Sequence, residues 1–456
     1  MVGSRLYMDY NLLSFQSSAI NNYIYVERNE FLDYLFNGIV PVYYTTENEK
    51  RGYTIYREND YYYGYINQRI IGPGAMIVDG KHAYGVTTAM RTNASFKNLP
   101  NDIGLFLYEA IDYDAQHEIN YIHDEDIRLG SMAWFEINFS YAYNFKRYKW
   151  DSWALGVTVK SLLGSMGTYS NIYDVNYNVH NDDSATVYNT NFEYAYSIPL
   201  DYNNNDFPGN PFIRGFGLGI DLGITYAKTT KGHSTLHFSR LCEQRYEHYN
   251  YKFGISLLDI GFIRFTRNAE LKSYHNSRTS WYKPYDTLPD NSVNDITTKL
   301  DYYFYDNSEE VKLKNKFNMS PPPALCLQYD HAINKFLFLN GTLIYGFNLG
   351  KAFIKRPSII MFAPRFETAR IEFSLPVSFI EWDWGFPRIG LAVRFGNLFA
   401  GLDKINSFIG LDDYSGFDLY GGIRLNLSNN LRMNFIKGLC GKKKLRNIET
   451  FDFRNF

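Results

Sequence analysis

The sequence predicts an all-β protein: a single antiparallel transmembrane β-barrel of about 14 strands, within a range of roughly 12–16. Three observations predict it. Apolar and polar residues alternate with period two along one segment after another. No run of 18 apolar residues occurs, so no transmembrane helix is indicated. Short and long links alternate in the carboxyl-terminal third, as they do between the turns and loops of a barrel. The competing architecture is a soluble all-β protein with roughly 7–10 long strands, which would turn its apolar face inward.

The segments are read in order. "HAYGVTTAMRTNASF" (82–96) sets Tyr84, Val86 and Met90 against Gly85, Arg91 and Asn93. "AWFEINFSYAYNF" (133–145) sets Phe135, Ile137, Phe139, Tyr141 and Tyr143 against Glu136, Asn138 and Ser140. "WALGVTVK" (153–160) opposes Trp153, Leu155, Val157 and Val159 to Gly156, Thr158 and Lys160. The clearest alternation is "FGLGIDLGITY" (216–226), where Phe216, Leu218, Ile220, Leu222 and Ile224 interleave with Gly217, Gly219, Asp221 and Gly223. In "YKFGISLLDIGFIRF" (251–265) the adjacent Leu257 and Leu258 break the period, which predicts a bulge or an apolar lumen patch of Leu258, Ile260 and Phe262. "ARIEFSLPVSF" (369–379), "PRIGLAVRF" (387–395) and "FDLYGGIRLNL" (417–427) repeat the design.

A membrane barrel puts its apolar face to lipid. The expected lipid-facing residues are Phe216, Leu218, Ile220, Leu222, Ile224, Phe373, Leu375 and Val377. The expected polar lumen lining is Arg91, Glu136, Lys160, Asp221, Asp330, Arg370, Glu372, Arg388, Arg394 and Arg424. A charge at mid-membrane on the lipid face costs about 2–4 kcal/mol for Arg or Lys, so these charges need partners or water within. Glycines 217, 219 and 223 would leave room for bulk, with the side chains of Arg370, Arg388 and Arg394 as the expected occupants and Asp221 paired to one of them. The lining is either a salt-bridged ladder that fills the lumen or the wall of a selective path.

Links at 334–335, 367–368 and 396–397 are tight, whereas 348–357, 380–386 and 404–416 are longer. If tight turns face the periplasm, the carboxyl terminus is periplasmic and the polar inserts 199–215 and 266–323 lie outside. The chain then divides into a barrel over 1–427 and a periplasmic tail over 428–456. Helices are expected at "NEFLDYLFNG" (29–38) and "LPNDIGLFLYEAID" (99–112) as loop or plug elements.

Taken in order, "GFGLGIDLGITY", "YKFGISLLDIGFIRF", "FIKRPSIIMFAPRFETARIEFSLPVSF" and "PRIGLAVRFGNLFAGLDK" resemble a Bacteroidota-type family of outer-membrane β-barrels of unknown function. The resemblance spans about Gly215 to Leu427 and implies the outer membrane of a Gram-negative bacterium. It supplies no reaction, ligand or catalytic residue. Likenesses to fatty-acid-transporter-type barrels and to accessory barrels of secretion and gliding machines are analogies of fold. The start, "MVGSRLYMDY", lacks the apolar core of a signal peptide, and a missing leader is the expectation.

Of the 456 residues, 18% are aromatic, with 41 Tyr and 35 Phe. These are strand formers and also populate barrel interface girdles. A formal charge of -2 gives no nucleic-acid signal. Cys242, Cys326 and Cys440 lack metal spacing, and an odd count leaves one thiol unpaired. His233 and His237 in "HSTLH" sit four apart without the glutamate of a zinc protease. "HDED" (123–126) and "LDDYSGFD" (411–418) lack a calcium loop's ligand pattern. No G-x-S-x-G elbow occurs. The expectation is a protein that is not an enzyme and holds no cofactor or metal. Its partners would be outer-membrane lipid and a protein of a secretion or surface complex, with the basic "KGLCGKKKLR" (437–446) as a solubilising tail. Two roles stay open: a structural or accessory barrel docking a partner through its outer loops, or a channel for small or apolar solutes.

Overall fold

The computed structural model describes residues 5–20, 23–26, 53–56, 60–79, 81–104, 116–233, 249–282, 292–334, 336–350, 352, 354–368, 371–385, 387–396, 398–406 and 416–425. The first strands are β1 (Arg5–Ile20), β2 (Tyr23–Val26), β3 (Tyr53–Tyr56), β4 (Tyr61–Asp79), β5 (His82–Pro100) and β6 (Asn120–His123). The longest, β7 (Ile127–Asn181), is followed by β8 (Ser184–Ser197), β9 (Gly215–His233), β10 (Tyr249–Phe265) and β11 (Glu270–Tyr282). Helix α1 (Val293–Phe304) precedes β12 (Glu310–Lys314), β13 (Phe317–Met319), β14 (Ala324–Ala332), β15 (Leu337–Gly346) and β16 (Ile359–Glu367). The last are β17 (Ile371–Ser374), β18 (Val377–Ile380), β19 (Arg388–Ile389), β20 (Leu391–Phe395), β21 (Leu398–Leu402) and β22 (Gly416–Leu425). Among the described residues no helix is long and apolar enough to cross a membrane.

Twenty of these strands form one antiparallel sheet, and β2 and β3 pair separately. Strand β7 doubles back: residues 128–143 pair with β5 and residues 149–164 with β9. Ser140 Oγ meets Thr158 Oγ1 at 2.8 Å between its two arms. Pairing continues from β9 to β10, then β14, β15 and β16, and on through β17–β21 to β22. Strand β1 pairs with β22 on one side and with β4 on the other. The sheet exceeds the expected 12–16 strands for two reasons. Proline, which has no N–H to donate, divides crossing segments: Pro376 parts β17 from β18, and Pro321–Pro323 part β13 from β14. An extension beyond one end adds further strands, since the outer part of β7 pairs with β6 and β8, β8 with β11, and β11 with β12.

The short links 80–81, 333–336, 368–370 and 396–397 lie at one end, where β1 begins and β22 finishes. Strand β9 ends and β10 begins at that end too, and residues 234–248 between them, His237 included, lie outside the described residues. Inserts 199–215 and 266–323 fall at the opposite end. The second insert is structured: it carries β11, α1, β12 and β13. Ser292 caps α1, its Oγ accepting from the Asp295 N–H at 3.1 Å. Tyr303 and Phe304 at the far end of α1 bury against Tyr274, and Phe192 stacks on Tyr274 at 4.8 Å. Of the expected helix over 99–112, β5 takes the first two residues and a single turn covers 101–104. Its remaining residues, and the expected helix at 29–38, lie outside the described residues.

The core cluster fills one face of the sheet near the extension. Met132, Trp134, Leu162, Ile263, Phe265 and Met319 meet there, joined by Ala352 and Ile354 from the 347–358 loop. That loop folds onto the buried face. Ser320 N–H donates to the Ala352 carbonyl at 3.2 Å, and Lys355 N–H donates to Ser95 Oγ at 2.8 Å. Gly164 and Gly167 make room for Phe265: a Cβ on Gly167 would stand 2.5 Å from its ring.

Candidate functional site

The polar positions of four strands converge on one buried carboxylate. Strand β10 carries a bulge between Leu257 and Ile260, and Asp259 occupies it with φ 58°. A bulge re-aims a side chain by adding one residue to one strand. The Asp259 N–H, freed from the ladder, donates to Asp221 Oδ1 at 2.7 Å. Its carboxylate accepts both Arg91 nitrogens, at 2.8 and 3.1 Å, a side-on pairing that fixes orientation. Lys160 Nζ reaches Asp259 at 2.6 Å and Asp221 at 2.7 Å. Arg356, from the inserted loop, reaches Asp259 at 3.1 Å.

A second carboxylate completes the network. Glu136 lies 3.6 Å from Arg91 and 3.5 Å from Arg69, and accepts from Asn138 at 3.1 Å and Trp134 at 3.3 Å. The Arg91 guanidinium also lies over the Trp134 ring at 4.8 Å. Arg91, Glu136, Lys160 and Asp259 are all buried. Toward the short-link end a cavity of about 380 Å³ adjoins Asp221, its wall including Gly85, Ser140, Gly156, Thr158 and Ser256.

Two smaller ionic groups lie elsewhere on the same face. Glu372 and Arg394 are opposite in register and joined at 2.8 Å, while Arg365 lies 3.1 Å from Asp330 and 3.3 Å from Glu367. Tyr249 OH donates to Asp330. Arg388 pairs with Asp418 in full burial.

The opposite face is apolar and open. One row runs in register through Leu155, Ile224, Ile255, Leu327, Leu343, Ile360 and Phe379, each half-buried or exposed. Beside the short-link end an arc of rings follows the strands. Trp153 meets Tyr226 at 4.7 Å, Tyr226 meets Tyr251 at 5.9 Å, and Tyr251 meets Tyr329 at 6.2 Å. His82, Tyr84, Tyr141 and Tyr143 continue it on β5 and β7.

A model of a family of unknown function, DUF5723, matches residues 1–403. The chain belongs to the DUF5723 family. No curated protein matches it. Among solved structures, the toluene transporter TbuX of Ralstonia pickettii is similar over 92% of this chain and 88% of its own, with 10% identity and a TM-score of 0.36.

Within this DUF5723 chain the residues singled out from sequence separate as follows. Arg91, Glu136, Lys160 and Asp221 join the central network, Asp330, Glu372 and Arg394 the second group, and Arg388 the third. Arg370 and the side chain of Arg424 lie outside the described residues. Phe216, Leu218, Leu222, Phe373 and Leu375 are exposed, and Ile220, Ile224 and Val377 half-buried.

Three expectations are corrected. Asp221 pairs with Lys160 of the neighbouring β7 rather than with Arg388 or Arg394, which are taken by Asp418 and Glu372. The glycines of β9 do not house arginines either. Gly219 borders Lys160 and Leu162, a Cβ on Gly217 would strike the β10 backbone, and Gly223 meets only ordinary contacts. Phe262 is exposed rather than turned inward, because the bulge reverses the phase of β10 and buries Ile263 instead. Asp418, on the polar phase of "FDLYGGIRLNL" with Arg424, is the partner of Arg388, whereas Asp259, Arg69, Arg356, Arg365 and Glu367 were missed. Arg69 shares the period-two phase of Tyr65 and Asn67 and was legible in "YYYGYINQRI"; Arg356, on an irregular loop, carried no such signal.

Proposed function

We propose that the chain is a closed outer-membrane β-barrel of a Gram-negative, Bacteroidota-type envelope, whose lumen is filled by its own side chains. Its role is structural or accessory rather than enzymatic, with a protein partner docking through the outer extension. Closure is supported by the pairing of β1 with both β4 and β22. Counting β1, β4, β5, the two arms of β7, β9, β10, β14, β15, β16, β17 with β18, β19 with β20, β21 and β22 gives about 14 crossings, a barrel-sized number.

The observation that carries the reading is the inversion of the sheet. Glu136, Lys160 and Asp259 are buried and paired, while the row from Leu155 to Phe379 is turned outward on the other face. Water-soluble sheets arrange these faces the other way, and contiguous apolar surface of this extent calls for lipid. The aromatic arc at the short-link end fits a membrane–water interface. The ion network and the core beneath the 347–358 loop support a plugged lumen. Planar-bilayer recording tests this: the purified barrel passes no steady current, and Arg356→Ala, which removes the loop's ionic anchor, raises the frequency of openings.

A second reading, a channel or transporter for small or apolar solutes, is favoured by the cavity beside Asp221 and by Leu258 on its wall. Robust conductance of the unmodified chain would select it.

A further inference from the structure

The extension carries a second cavity, of about 940 Å³, between the outer ends of β8 and β11 and the carboxyl-terminal end of α1. Three exposed tyrosine rings line it, Tyr188, Tyr282 and Tyr302, which are 44%, 66% and 71% exposed, and the buried Tyr303 of α1 also borders it. The core cluster of Tyr274, Tyr303 and Phe304 adjoins it, and Tyr302 meets Tyr303 edge-on at 5.2 Å while most of its own surface stays exposed. Between the rings stand planar polar groups. Arg278, Asp306 and Asn307 border the cavity, and all three are exposed. Among the described residues neither the Arg278 guanidinium nor the Asp306 carboxylate has an ion-pair partner. Hydroxyls of Thr186 and Ser280, 3.3 Å apart across β8 and β11, lie on the same wall.

From this combination we infer a saccharide-binding site for a neutral hexopyranose chain. Sugar rings present flat C–H faces that lie against aromatic rings, and rims of hydroxyls that need paired donors and acceptors. Tyr188, Tyr282 and Tyr302 supply the faces; Asp306 accepts, Arg278 donates, and Asn307 can do both. The side-chain amide of Asn307 already donates to the Tyr303 carbonyl at 2.8 Å, and its backbone carbonyl accepts from the Arg278 N–H at 3.1 Å, so the polar rim is held in place by backbone. A single cation beside a single anion gives the cavity no net charge, which favours a neutral polymer over an acidic one. The inference uses only the cavity's own residues and stands whether or not the lumen conducts.

Affinity electrophoresis of the full chain in detergent tests it, in native gels cast with dextran, mannan or galactan and compared with gels lacking polysaccharide. At least one of the three slows the chain; Tyr302→Ala and Asp306→Ala each reduce the retardation at least threefold, while Tyr305→Ala, exposed but outside the cavity, leaves it unchanged. Unaltered mobility in all three gels overturns the proposal. So does retardation that survives Tyr302→Ala, or that falls equally with Tyr305→Ala. Folding of each variant is checked by the heat-induced shift of the barrel on the same gels. A protein captured by the unmodified chain and lost with Tyr302→Ala, without any polysaccharide retardation, would reassign the cavity to protein docking and equally overturn it.

Discussion

The Arg91 guanidinium and the Asp259 carboxylate pair side-on at 2.8 and 3.1 Å, although 168 residues separate them in the chain. Lys160 and Arg356 share the same carboxylate. Removing one partner of a buried ion pair strands the others, at a typical cost of about 3–5 kcal/mol. Asp259→Ala therefore leaves Arg91, Lys160 and Arg356 with only Asp221 and Glu136 among them, and lowers the unfolding temperature in detergent more than any single surface substitution does. Thermal denaturation followed by tryptophan fluorescence reads this out; a change no larger than that of Lys312→Ala would mean the network is open to water.

The Glu372–Arg394 pair is more exposed than the central one, so solvent screens it. Glu372→Ala is expected to destabilise the fold by less than Asp259→Ala but by more than Lys312→Ala. That order is the prediction, checked by the same melts.

Gly167 offers a steric test. A Cβ there would lie 2.5–2.9 Å from three atoms of the fully buried Phe265 ring. Gly167→Ala should cost about 1–3 kcal/mol through overpacking, and Phe265→Leu in the same chain should recover part of the loss. Two additive losses, measured by a double-mutant cycle, would show that the two sites do not touch.

In the extension, Asp102 fastens β6 to the outer part of β7. His123 Nε2 lies 2.8 Å from it, and Tyr177 OH donates to it at 2.6 Å. Burial works to raise the Asp102 carboxyl, but the hydrogen bonds from His123 and Tyr177 and the charge of His123 outweigh it and hold the group below its ordinary 3.8. The same burial, with Asp102 beside it, pushes the Tyr177 phenol up. A depressed carboxylate contributes stability that is present above its unfolded value and is lost as pH falls through its lower folded one. Amide exchange of 120–123 should stay slow down to pH 3.8 and quicken only below it. In Asp102→Asn it should be fast already at neutral pH, and equal rates in the two chains would refute the fastening.

The faces of β5, β7 and β9 were legible because the β5–β7 ladder, and the β7–β9 ladder from Asp151 to Gly164, run without a register shift: Val86 sits opposite Phe139, and Leu155 opposite Ile224. The centre of the site was not. One extra residue in β10 places Asp259 on the buried face and turns Phe262 out, and nothing in "SLLDIGF" fixes which residue is extra. Helix α1 had a readable signal, Ser292 three residues before Asp295 with apolar Ile296, Leu300, Tyr303 and Phe304 following at helical spacing, but it lay within an insert whose polar composition masked it. Arg356 reaches the network from a loop, and only the fold places it there.

The central claim is that the Leu155–Phe379 row faces lipid and the buried network faces the lumen. Nitroxide labels on single cysteines at Leu222 and Gly223, with the three native cysteines changed to serine and the chain reconstituted in lipid vesicles, test it most directly. The account predicts that the label at 222 is relaxed by oxygen and shielded from a water-soluble nickel chelate, and that the label at 223 shows oxygen relaxation several-fold weaker. A label at 222 open to the nickel chelate and closed to oxygen would contradict it.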